Sequence, residues 1–335
     1  MIKVSLLLSL LAYGAAQPVE EPDNGLEDLP QVINQEFAFD ELLSLEDGLE
    51  AVESAVRQGK TPHTQLRHDL RDAVAREVGL RPQLARGLPA QVRNFPATSQ
   101  LAVIEGLGRS GVAEALPALA AMSRARNGLL SFVLESLTRL ARDVGGPHRG
   151  DVLEAVRHAL LVGEPAQRRL AAIAAGVLRD DESIPNLIAM LELDDVLTSK
   201  AAHRGLVEHT GIGYAASPSL WERWYREESE FLDGQFQEQL NALRGNDAAR
   251  RVQAVKAITA GRLARDIRAQ ALLDFFPDVE EEALQLQLIS GLRTLDSRGA
   301  VPLLEGLVLD SRFDAVRLAS KRALDSLERT RSGTR

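Results

Sequence analysis

The chain has 335 residues, a net charge of −9, 45% hydrophobic but only 4% aromatic side chains, and no cysteine. An acidic balance with basic residues dispersed among acids disfavours broad binding to phosphate backbones, and the missing cysteines exclude disulfides, thiolate metal sites and cysteine nucleophiles. Apolar content made mostly of Leu, Ala and Val, without alternating β-branched or aromatic runs, points to helix.

Residues 1–16 read as a signal peptide, with Lys3 as the positive start, Val4–Ala12 as the apolar stretch and Gly14, Ala15 and Ala16 before an expected cleavage after Ala16. The apolar stretch is shorter than the roughly 20 residues that span a bilayer. The mature chain is therefore expected to be exported, periplasmic or extracellular, with no membrane span. Residues 17–36 mix prolines with acids and read as a disordered acidic linker. Residues 37–96 are expected to form an N-terminal helical cap. Leu42, Leu45, Leu49, Val52 and Val56 draw one apolar stripe across its first helix, 38–58. Thr61 and Pro62 then read as an N-cap and first helical residue of a helix to about Val78.

From Ala97 to Arg329 the apolar spacing predicts helices in two alternating series, and 330–335 reads as a disordered tail. One series covers 97–107, 128–142, 165–178, 195–209, 247–260, 280–294 and 313–328. Its partners cover 113–123, 148–161, 182–192, 218–243 with a break expected near Gly234, 264–275 and 299–309. A motif recurs in three of the partners. Pro117, Pro185 and Pro302 each follow an aliphatic residue (Leu116, Ile184, Val301), with further apolar residues at Leu119 and Met122, Leu187 and Met190, and Leu304 and Leu307. A second signature marks helix starts, where an acid precedes an arginine by about a turn: Glu164 and Arg168, Asp247 and Arg251, Asp314 and Arg317. The acid caps backbone amides, and the arginine can pair with it or with an acid of the next repeat.

Together these residues resemble the HEAT family of α-solenoid repeats, in a bacterial exported form. GLGRSGVAEALPAL (106–119), AGVLRDDESIPNLI (175–188) and GLRTLDSRGAVPLL (291–304) carry the likeness, although Arg293 stands where the family pattern has glycine. The resemblance implies an all-α, right-handed solenoid of stacked antiparallel helix pairs, binding to a protein or peptide, and no enzymatic residues. Such arrays build surfaces for partners more often than chemical sites.

Residues 209–225, HTGIGYAASPSLWERWY, depart from the repeat, and a helix opening at Pro218 places Trp221, Trp224 and Tyr225 on one face. Two readings stand for these rings: filling of an irregular joint in the stack, or an exposed aromatic contact for a partner.

No G-x-S-x-G elbow, phosphate loop, dinucleotide fingerprint or H-E-x-x-H motif occurs. His63 and His68, and His203 and His209, lack the three- or four-residue spacing that brings two ligands to one helix face, which leaves all six histidines, His148 and His158 included, as surface or interface residues. The acid clusters at 180–182 and 278–282 read as helix N-terminal stabilisers rather than calcium loops. The expected function is that of a non-enzymatic exported scaffold or adaptor, without catalytic, cofactor or metal residues. The alternatives are a HEAT-type enzyme or lyase-like chaperone, or a structural envelope protein.

Overall fold

The computed structural model describes residues 43–124, 128–144 and 150–331. The expected signal peptide, the expected linker and the end of the expected tail lie outside the described residues. Every regular element among the described residues is helical, and none is long and apolar enough to cross a membrane.

The helices follow one another as α1 (Leu45–Arg57), α2 (Thr64–Leu80), α3 (Leu88–Gln91), α4 (Ala97–Leu107), α5 (Ala115–Ser123), α6 (Leu130–Val144), α7 (Gly150–Val162), α8 (Pro165–Val177), α9 (Ile184–Met190) and α10 (Val196–Thr210). They continue as α11 (Pro218–Glu230), α12 (Phe236–Leu243), α13 (Ala248–Ala260), α14 (Arg265–Phe275), α15 (Glu282–Thr294), α16 (Val301–Asp310) and α17 (Asp314–Arg331). The last of these runs past the expected end of the repeat and into the expected tail.

Capping sets most of the boundaries. Ser44 opens α1 by accepting from the Asp47 amide at 3.1 Å, and the Leu45 amide is satisfied at 2.7 Å by Glu77 of α2. The start of α2 differs from expectation. Thr61 and Pro62 stay outside, and the His63 ring accepts from the Leu66 amide at 3.0 Å through Nδ1, filling the place an Asn or Asp side chain would take. Asp247 caps α13 through the Ala249 and Arg250 amides at 2.9 and 3.2 Å, while Arg251 reaches Glu281 ahead of α15 at 2.9 Å. Asp314 pairs with Arg317 inside its own helix. Both pairing modes open to these arginines therefore occur. Pro185 and Pro302 are second residues of α9 and α16, each behind a single 3-10 turn, where a missing amide proton costs nothing. Pro117 sits one place further into α5.

The helix expected over 218–243 does not break at Gly234. One π turn, Phe231–Gln235, joins α11 to α12, so the chain continues in a helical path with one wider loop.

Packing divides these helices into two stacks. In the first, α2, α4, α6, α8 and α10 lie each against the next, with α5 against α7 in a second layer; in the other, α13 packs on α15 and α15 on α17. The apolar clusters follow the same division, one drawn from Leu45 to Leu263 and the other from Leu243 to Leu327. The tightest approach is between α8 and α10. A Cβ on Gly176 would stand 2.1 Å from the Gly205 carbonyl oxygen, and one on Gly205 would stand 2.3 Å from that of Ala172. Only glycine lets these two backbones touch.

Candidate functional site

The turn before each motif proline holds a left-handed residue six places upstream: Gly111 (φ 69°), Arg179 (φ 55°) and Asp296 (φ 54°) precede Pro117, Pro185 and Pro302. In the last two turns the next amide closes the helix end, from Asp180 to the Ala175 carbonyl at 3.0 Å and from Ser297 to that of Leu292 at 3.2 Å. Glycine takes this conformation freely, whereas a side chain costs about 1 kcal/mol or more. Arg179 and Asp296 are nevertheless placed there, and they bind each other. The Arg179 Nη2 meets the Asp296 carboxylate, and its Nη1 lies 3.5 Å from the Asp296 carbonyl. Equivalent turns of two separate repeats thus face one another and join the stacks.

A third left-handed residue, Ala264 (φ 55°), belongs to the same joint, its amide donating to Asp181 at 3.2 Å. Asp181 is also 3.1 Å from Nε2 of the buried His209. Asp180, wholly buried, accepts from Nε and Nη2 along one edge of the Arg157 guanidinium, and these hydrogen bonds hold Arg157 above the usual arginine range. Arg265 donates to the Thr210 carbonyl at 2.5 Å; burial, reinforced by Arg179 and Arg262, draws it down to about 9, which leaves it protonated at neutral pH. These side chains ring a cavity of about 270 Å3. Arg298 donates to the Val144 carbonyl, a second tie from the later stack to the earlier one.

Beside the joint, Arg268 is buried with three acceptors: the Leu263 carbonyl at 2.7 Å, the Ile258 carbonyl at 3.0 Å and Glu228 at 2.8 Å. Its guanidinium also lies 4.7 Å over the Phe231 ring. Glu228 accepts the Arg262 and Leu263 amides at 3.1 and 3.3 Å. Desolvation lowers the Arg268 pKa and Glu228 opposes it. Acid–base or nucleophilic work needs groups that face a substrate. Here Asp180, Asp181 and Glu228 face arginines, backbone amides and His209, so the geometry clasps two stacks, while Asp266 lines the same cavity with its carboxyl held above the usual range by burial.

Of the two readings for these rings, burial favours filling of the joint for Trp221 and Trp224, while Tyr225 stays half-buried. Trp221 is fully buried, donates to the Ala215 carbonyl at 3.0 Å and meets Tyr214 and Trp224 edge-on at 5.3 and 5.7 Å between centroids. Trp224 is buried as well, and Tyr225 packs partly against the same core. The loop after α10 lengthens this repeat, and large rings fill the space it leaves beside α9.

Exposed apolar surface lies elsewhere. Leu161 (62% exposed) and Val162 (67%) end α7, while Val196 (61%) and Leu197 (60%) begin α10, preceded by the exposed Leu193. The α7–α8 and α9–α10 connections are neighbours, because α8 packs on α10 and Arg169 near the start of α8 reaches the α10 cap Asp195 at 3.3 Å. These exposed aliphatic residues thus lie on two neighbouring connections, with the exposed acids Glu164, Glu192 and Asp194 beside them and Lys200 one turn into α10. Sequence reading missed them because apolar residues at helix ends look like core residues on a spacing diagram. A further groove of about 660 Å3 lies between the α3 region and α5, floored by Val92, Ala118 and Met122 and edged by Arg86, Arg93 and Arg124. Among the described residues no group of His, Asp and Glu is arranged to hold a metal ion.

No protein-family model matches the chain, and no curated protein matches it in sequence.

Proposed function

We propose that this chain is an exported, HEAT-like α-solenoid scaffold, right-handed in its stacking and capped by its N-terminal helices, that holds a protein partner on its surface and has no catalytic role. The aliphatic edge of Leu161, Val162, Leu193, Val196 and Leu197 carries the reading. Scattered exposed apolar residues need no explanation, but aliphatic side chains gathered on two adjoining turns mark an interaction surface. Its acidic surround makes an anionic bilayer the wrong occupant and a protein face the fitting one. The repeat motifs support the solenoid, and the apolar stretch at Val4–Ala12 supports export.

The test is affinity capture from a cell-envelope fraction with wild-type protein beside Val196→Asp/Leu197→Asp. One stoichiometric partner should be recovered by the wild type and lost by the double variant, with both proteins equally helical by circular dichroism. Equal recovery by both, or none by the wild type, overturns the reading. Sedimentation with the cell wall through detergent would instead place the chain among structural envelope components.

A further inference from the structure

We infer that the groove between α3 and α5 is a second binding surface, which takes an extended peptide carrying carboxylates and small apolar side chains. This inference goes beyond the aliphatic edge and is independent of what that edge binds.

Charge is the first observation. Acids outnumber bases 48 to 39 over the chain, yet the groove's lining holds three arginines and no acidic residue. Several arginines elsewhere are paired, Arg157 with Asp180, Arg179 with Asp296, Arg251 with Glu281 and Arg268 with Glu228. At the groove, Arg86 and Arg93 are exposed and face no carboxylate partner among the described residues, while Arg124 keeps only a loose 3.7 Å contact with the exposed Glu154. Like charges gathered without counter-charge raise a local positive field in a negative molecule, which is the complement of an anionic ligand.

Shape and lining narrow the ligand. Val92, Ala118 and Met122 form a buried apolar floor, and Ala90 and Ala121 leave it open to solvent. A volume of about 660 Å3 lies within the range of formed ligand pockets. Free phosphate would use the arginines and leave the floor wet, and a nucleic acid, charged at every nucleotide and without small aliphatic side chains, would meet more of the chain's negative field and fill the floor less well than a segment with a few carboxylates. An extended acidic segment uses both features, its carboxylates on the guanidinium forks and its apolar side chains on Ala118 and Met122. Gln100 anchors the wall, its side-chain amide donating to the Arg93 and Phe95 carbonyls at 3.1 and 2.8 Å, so the loop that presents Arg93 is fixed in advance.

The experiment is fluorescence anisotropy of the full mature chain with a labelled peptide of about twelve residues, Asp and Glu alternating with Ala and Leu, against its Lys-for-acid counterpart and an oligonucleotide of equal charge. The acidic peptide should bind at least about tenfold tighter than either comparison, and about tenfold weaker to Arg86→Glu/Arg93→Glu than to wild type. Raising salt from about 50 to about 300 mM should weaken it several-fold without abolishing it, because the floor contact is not screened. Ala121→Trp, which fills the groove and leaves the charges alone, should abolish binding; it keeps the test decisive should the charge-reversed protein misfold. Equal affinity for the lysine peptide, equal affinity for the oligonucleotide, full competition by millimolar phosphate, or unchanged binding to Ala121→Trp each overturns the inference. None of these variants touches Val196 or Leu197, so a scaffold that keeps its edge partner while ignoring the acidic peptide fails this inference alone. A chain that binds the peptide but captures no partner fails the edge reading alone.

Discussion

At α2–α4 and α8–α10 the stacked helices meet backbone to backbone, whereas at α13–α15 they meet backbone to side chain. A Cβ on Gly106 would stand 2.6 Å from the Arg71 carbonyl oxygen, and those on Gly176 and Gly205 would meet carbonyl oxygens at 2.1 and 2.3 Å. In the later stack the matching intrusion, from Gly291, would meet the Thr259 Cγ2 at 2.5 Å, a side chain that can turn aside. The contrast extends to the motif. Nine residues before the proline stand Gly108 and Gly176 in the first stack, but Arg293, exposed, in the second. The first stack is pinned at two of its helix pairs by main-chain contact, the later one meets through an adaptable side chain at Gly291, and a charged joint holds them together.

The largest effect is expected where that joint is buried. Arg268→Ala leaves Glu228 without its cation in a largely buried place and should cost about 3 to 5 kcal/mol. Because Arg268 sits between the two apolar clusters, urea unfolding followed by far-UV circular dichroism should turn from one transition into two, the later stack melting first. A single transition at an unchanged midpoint would show that the stacks do not depend on this pair. Gly205→Ala should follow at about 3 kcal/mol, since neither α8 nor α10 can yield locally, against about 1 kcal/mol for Gly291→Ala. Equal losses at these two glycines would erase the distinction between the stacks.

A smaller change in stability, but a larger one in shape, is expected from Arg179→Gly with Asp296→Gly. Each turn is relieved of about 1 kcal/mol of left-handed strain while the pair between stacks is lost. The melting temperature should stay close to that of wild type, whereas the radius of gyration from small-angle scattering should grow. Unchanged dimensions would assign the closure to Arg298 and Arg265 instead.

Much of this architecture was legible in the sequence, for identifiable reasons. Helix positions from α4 to α16 follow from apolar spacing and from prolines that can stand only near a helix start. The cap of α2 was not legible, because a histidine rarely serves where Thr61 and Pro62 already offer a start signal. The π turn was not legible either, since Gly234 reads as a breaker until Phe231 and Phe236 are seen to meet edge-on at 6.3 Å. The clasp left a signal that spacing alone does not expose. Aligned on the prolines, Gly111 is replaced by Arg179 and Asp296, two costly residues of opposite charge at one register position. A pairing between repeats is the simplest way to keep both. The aliphatic edge and the arginine groove depend on which turns become neighbours, and that is a property of the stack rather than of any one segment.

The smallest expected signal concerns the aromatic segment, where the two regions can be told apart by light. Trp221 and Trp224, the only tryptophans in the chain, pack with the first apolar cluster although α11 leads towards the second. Acrylamide should therefore quench the folded protein weakly, with blue-shifted emission, and the quenching should stay as weak in Arg179→Gly/Asp296→Gly as in wild type. Strong quenching in the wild type would return these rings to the surface. Quenching that rises only in the double variant would move the boundary between the regions to α10, and would make α11 part of the clasp instead of the end of the first stack.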